Sequence, residues 1–180
     1  MPDETRRRSA RPAVAPRAPR TPRVMVRPAT IDDAPQVAAL RVALLREEER
    51  NPFFADPHPD ADARALGLTR ADFATPASVF FVAVRGESIV GMLRCRVVHR
   101  SPLVADSRQA ALTTVYVVPD QRRTGVLRAL LAAADDWCRQ QQLHGMRLQC
   151  AMTNDAGRKA WQSLGFSEAE IVYIRSVPNA

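Results

Sequence analysis

The sequence predicts an α/β domain: a mixed, mostly antiparallel central sheet with helices on both faces. Three observations carry that prediction. Short β-branched and aromatic runs alternate with helical periodicities in the order strand, helices, hairpin, strand, helix, strand, helix, strand. The stretch from about Gly125 to Gln141 sets Val126, Leu127, Leu130, Leu131, Ala134, Trp137 and Cys138 on one helical face. With 180 residues, 46% hydrophobic and 25% charged, the chain has the makings of one core. The longest apolar runs, Val79 to Val84 and Ala129 to Ala134, are far shorter than the roughly 20 residues of a membrane span, which excludes that class.

The elements follow in order. Val24 to Val26 reads as a short strand, and Thr30-Ile31-Asp32-Asp33 has the form of a capping box, with Pro35 tolerated in the first helical turn. A helix through Val37, Leu40, Leu44 and Leu45 ends near Glu47-Glu48-Glu49, and a proline-rich loop from Asn51 to Pro59 leads into a helical stretch from Asp62 to Phe73. Ser78 to Arg85 and Ile89 to Val98 flank turn residues Gly86-Glu87-Ser88 as a β-hairpin. Leu112 to Val118 is a strand closed by Pro119, and Met146 to Ala151 is another. Asn154 to Leu164 is a helix with Gly165 placed to end it, and Glu170 to Arg175 is a final strand.

The net charge of +7 is a property of one end. Residues 1–23 hold seven arginines and two acids, hence +5, and the rest of the chain carries only +2. Five prolines and almost no large apolar residue in that segment describe a disordered basic tail, with the folded domain at 24–180. The segment has no apolar core of a secretory signal. The near-neutral domain argues against a nucleic-acid interface, except through the tail. Cys95, Cys138 and Cys150 form no C-x-x-C pair and stand apart from His58, His99 and His144, so no metal site and no disulfide framework are expected. Free thiols suit a reducing compartment, and the expected location is cytoplasmic, as monomer or homodimer.

The stretch Val115 to Arg128 carries the chemistry. A strand runs through a short cationic turn into the start of a long helix, whose first backbone N–H groups lack intrahelical partners. Arg122, Arg123 and Arg128 add charge, and Gly125 allows a close approach to the main chain. The combination describes an anion site suited to a phosphate or pyrophosphate. It is neither of the common glycine-rich nucleotide loops.

These residues resemble the GNAT superfamily of acyl-CoA-dependent N-acetyltransferases, whose hallmark is V-x-P-x-x-[QR]-x-x-G-x-[GA] between a strand and a helix. Val117-Val118-Pro119-Asp120-Gln121-Arg122-Arg123-Thr124-Gly125-Val126 matches it in order and spacing. The later N-x-x-A-x-x-x-Y-x-x-x-G-F pattern is in register at Asn154, Gly165 and Phe166. The resemblance covers residues 24 to about 176 and implies a GNAT-like acyl-CoA N-acyltransferase fold using acetyl-CoA as cosubstrate. It also implies that the cosubstrate lies where the strand ending at Val118 splays from the next. There the backbone of Val117 and Val118 would meet pantetheine, and Arg122, Arg123, Thr124, Gly125, Val126 and Leu127 the pyrophosphate. Asn154 would meet the arm near the thioester, and an N–H near Val118 the oxyanion.

The chain departs from the pattern at three places. Leu127 stands where Gly or Ala is usual, and Gly157 replaces a small Ala. Trp161 takes the place of a tyrosine that would protonate the leaving thiolate, and an indole cannot do so. Thr113 and Thr114 stand where a catalytic carboxylate is frequent. Tyr116 and Glu48, the latter within Glu47-Glu48-Glu49, remain as catalytic candidates, with His99 a further titratable group. With Asp56, Asp60 and Asp62, the glutamates make an acidic rim suited to a cationic amine acceptor. The expected function is acetyl transfer from acetyl-CoA to a primary amine. The alternatives are a non-catalytic CoA-binding or regulatory member of the same fold, and a nucleic-acid-associated protein acting through its tail.

Overall fold

The computed structural model describes residues 23–175 and Val177. The expected tail therefore lies outside the described residues, apart from Arg23. Among the described residues five strands form one sheet, and their order across it is their order along the chain.

Strand β1 (Met25–Pro28) pairs antiparallel with β2 (Ser78–Arg85), Met25 facing Val84. Between them the chain makes a 3-10 turn at Ile31–Asp33, then α1 (Ala34–Glu47) and α2 (Ala61–Phe73). The expected capping residues meet here. The Asp33 carboxylate accepts the Thr30 N–H at 2.7 Å and an Arg27 guanidinium nitrogen at 2.6 Å, and that guanidinium holds the carboxyl below its usual range. Helix α1 lays Val37 against Phe80, Val82, Ile89, Met92 and Tyr116 on one face of the sheet. Helix α2 packs on α1 through Ala38, Val42 and Ala65. Asp72 ties the layers together: it accepts from Arg41 at 2.6 Å and from Arg94 of the sheet at 2.8 Å.

Strands β2 and β3 (Ser88–His99) form the expected hairpin, with Gly86 at φ +63 in its turn. Strand β4 (Arg108–Val117) continues the antiparallel order but carries a bulge: pairing steps from Arg94↔Thr113 to Met92↔Tyr116, and Thr114 sits at φ +51. Helix α3 (Val126–Gln140) covers the other face, where Val126, Leu130, Leu131 and Ala134 meet Phe81, Ala83, Leu93, Cys95 and Leu112. Helices thus lie on both faces, as expected.

Two strands differ from expectation. The strand placed at Met146 to Ala151 is only β5 (Met146–Arg147), parallel to β4 at Ala110 and Ala111. Beyond Arg147 the chain leaves β4, so residues 148–151 have no ladder to join. The strand placed at Glu170 to Arg175 does not form: those residues are exposed, with Tyr173 at 90%. Its β-branched pattern is present, but no strand among the described residues pairs with it, and a strand without a partner is not stable.

Helix α4 (Asp155–Ser163) ends as its glycine predicts. Gly165, at φ +92, donates to Gln162 O and Phe166 donates to Trp161 O, the paired bonds of a Schellman cap. The Trp161 and Phe166 rings close it edge to face, 5.3 Å apart. Trp161 is a packing residue here.

Candidate active site

Beyond Ala111, β5 no longer pairs with β4, and the gap beside the unpaired edge of β4 is the candidate cleft. Val118 N–H donates to Val90 O at 3.0 Å, so strand alternation turns the N–H and C=O of Val117 to the opposite side, where no strand follows. The amide turned to the open side is therefore that of Val117, next to Val118, whose own N–H is committed to the sheet.

Past Val117 the chain makes a 3-10 turn at Pro119–Gln121 and enters α3 through two left-handed residues, Arg123 at φ +63 and Gly125 at φ +92. The second is why glycine stands there. Ala129 is the first residue to bond back, to Gly125 O, so the N–H groups of Val126, Leu127 and Arg128 lack intrahelical partners. No side chain caps them among the described residues. Thr124 Oγ1 is turned inward, donating to Gln121 O at 2.7 Å. The Leu127 side chain packs half-buried on the core, which takes its bulk away from the amides. Val126 and Leu130 approach β3 at Gly91, where a Cβ would come within 2.9 Å of Val126 Cγ1. The N-terminal turn of α3 is thus seated tightly on the sheet, with its positive end facing the cleft mouth.

Across from this turn stand the glutamates at the end of α1, linked to it through Arg122. Three carboxylates there oppose the helix dipole, so the fold gains nothing from them locally. Two find partners across the cleft. Glu47 Oε1 accepts the Tyr116 hydroxyl at 3.0 Å, and both Glu47 oxygens accept from Arg122 Nη2, at 2.8 and 2.6 Å. Burial, then the bond to Glu47, pushes the Tyr116 phenol above its ordinary value, so it stays protonated and able to donate. Glu48 Oε1 accepts Asn154 Nδ2 at 3.1 Å, while Asn154 Oδ1 caps α4 by accepting Gly157 N–H at 2.8 Å. A Cβ on Gly157 would lie 2.8 Å from Asn154 Nδ2, which accounts for glycine at that position.

Two of the catalytic candidates, Tyr116 and Glu48, thus border one cleft with Asn154. Arg122 joins them rather than the amides of α3: its Nε donates to Val117 O at 2.9 Å and its guanidinium lies over the Tyr116 ring. In the sequence Glu47 is one of three adjacent glutamates, and its only signal is that carboxylates at a helix C-terminus are unfavourable. His99 is elsewhere: it pairs with Arg108 at the other end of β4, about 30 Å from Val117 at 3.4 Å per residue. Cys95 and Cys138 are buried, and their thiols are pushed up to about 12 and about 11, out of reach of nucleophilic use.

Comparison with known proteins agrees with this geometry. The acetyltransferase (GNAT) family matches residues 42–166. An aminoglycoside N(6')-acetyltransferase type 1 of Stenotrophomonas maltophilia is 29% identical over 152 residues, 83% of this chain and 91% of that protein. The fold matches that of AAC(6')-Iy in complex with the bisubstrate analogue CoA-S-monomethyl-acetylneamine, at TM-score 0.70 and 20% identity over 87% of this chain and 99% of that one. It also matches a predicted acetyltransferase of Clostridium acetobutylicum with acetyl-CoA, at TM-score 0.69 and 17% identity over 85% and 96%. From strand–turn–helix motif to open strand edge, and over two thirds of its length, the chain belongs to the acetyltransferase (GNAT) family.

Proposed function

We propose that the protein transfers the acetyl group of acetyl-CoA to a primary amine of a cationic, aminoglycoside-like acceptor. One observation carries the reading. Two adjacent carboxylates are held by residues around the open end of β4: Glu47 by Tyr116 of β4 and by Arg122 of the turn into α3, and Glu48 by Asn154 at the start of α4. The amides of α3 suit the anionic end of the cosubstrate, the strand edge its amide arm, and the carboxylates an ammonium. The name of the Stenotrophomonas relative favours this acceptor class. In this reading residues 24–180 are the catalytic domain.

The amine must be neutral to attack. For a lysine-like amine of pKa about 10.4, deprotonation at pH 7 costs about 4.6 kcal/mol. Glu48 is the base in reach of an amine held at this rim, directly or through water. Nitrogen then bonds to the thioester carbon, and the oxyanion takes the Val117 N–H. As the carbon–sulfur bond breaks, the thiolate takes the Tyr116 proton, the donor role that Trp161 cannot fill. Release of CoA thiol from acetyl-CoA across a panel of aminoglycosides, polyamines and neutral amines tests this. Turnover confined to polycationic amines is expected. No thiol release with any amine leaves the reading without support.

A further inference from the structure

Arg122 occupies an acceptor on each side of the cleft. Its Nε holds Val117 O at 2.9 Å, the carbonyl on the open edge of β4 that a cosubstrate amide would meet. Its Nη2 holds both oxygens of Glu47, the carboxylate an acceptor ammonium would meet. A guanidinium on a carboxylate and an aromatic face is chemically what a bound cationic amine would be. The pair is also exposed enough to exchange: the side chains of Arg122 and Glu47 are 44% and 41% accessible.

We infer that Arg122, which bridges Val117 O and Glu47, is displaced by both substrates and couples their binding. The inference rests on the acetyl-transfer reading. Cosubstrate arriving at Val117 takes one of the two holds from Arg122 and so loosens it from Glu47. An ammonium arriving at Glu47 loosens it from Val117. Whichever ligand binds first bears the cost of moving one side chain that obstructs both subsites, and the second binds more tightly for it. Once released, the guanidinium remains in the turn that precedes the α3 amides, where it adds positive charge to the anion site. Arg122 is therefore a positioning residue that sets the affinity of each substrate and the coupling between them.

Two titrations with the full chain test this. Glu47→Gln removes the charge that anchors Arg122, and it should bind CoA about threefold more tightly than the wild type; unchanged or weaker affinity overturns the inference. In the wild type, saturating CoA should tighten neamine binding about two- to fivefold, the range of a half-exposed ion pair, and less at high salt. Folded Arg122→Gln should bind neamine equally with and without CoA; coupling that persists in this variant overturns the inference. The two readings fail separately. A wild type that acetylates amines while Glu47→Gln leaves CoA affinity unchanged removes the coupling alone. A wild type without CoA affinity removes both.

Discussion

The Tyr116 hydroxyl donates to Glu47 Oε1 at 3.0 Å, joining the fourth strand to the end of the first helix across 69 residues of sequence. Replacing it tests its assigned role. Tyr116→Phe should keep CoA affinity and lower kcat by about a hundredfold or more, the usual contribution of a positioned acid. The folded-state pKa is raised, so the stability it confers is present below the ordinary tyrosine value of about 10 and is lost as pH rises through the folded value. Chemical denaturation at rising alkaline pH should therefore show a smaller decline for Tyr116→Phe than for the wild type.

Gly125 offers a comparison of strain with charge. Its φ of +92 disfavours any side chain, yet a Cβ would meet no atom within 4 Å. Gly125→Ala should lose about 1–2 kcal/mol of stability and retain weakened acetyl-CoA binding. Gly125→Glu should fold and show no calorimetric binding of acetyl-CoA, because a carboxylate then faces the pyrophosphate. Wild-type affinity in a folded Gly125→Glu variant would remove the anion site from this loop.

Asp72 neutralises two arginines at once. Asp72→Asn leaves Arg41 and the buried Arg94 facing each other without a counter-charge, and should cost about 3 kcal/mol in denaturant titration. A loss below 1 kcal/mol would show that solvent already screens the pair.

Gly91 fixes the seat of α3. Gly91→Ala sets a methyl 2.9 Å from Val126 Cγ1 and 3.2 Å from Tyr116 O, so the helix must shift. A loss of about 1–3 kcal/mol is expected, together with weaker CoA binding, since the displaced turn carries the free amides. Unaltered thermal stability would show that the interface yields freely.

Removing residues 1–23 should leave the thermal midpoint within a few degrees, because this segment offers no large apolar anchor and β1 begins at Met25. A large drop would show that it packs on the domain.

Local signals in the sequence mapped well onto the fold. Gly86, Gly125 and Gly165 all mark left-handed turns, and the period of α3 placed its buried face on the core. Alternation does not reveal the face of Tyr116: with Thr114 inserted, residues before and after it alternate in opposite phase, so Leu112 and Val117 share a face five residues apart and Tyr116 takes the other. Pairing was hidden too. Glu170 to Arg175 has strand composition, but a strand needs a neighbour, and nothing local says whether one is there. The contacts of Glu47 and Glu48 bridge 69 and 106 residues, and only the packing of α1 over the sheet brings them to Tyr116 and Asn154.

Strand β4 has unlike ends. Near its start, Ala110 N–H is held by Gly145 O on the β5 side at 2.9 Å; seven residues on, Val117 turns the same side of the backbone to an open cleft. One strand thus contains an amide held by a neighbouring strand and another without such a bond, on either side of the bulge in its ladder to β3. A ligand lying along the open half would complete the sheet as a short additional edge. The slowing of exchange at Val117, with Ala110 as its internal reference, would then report occupancy of the cleft without any change of fold.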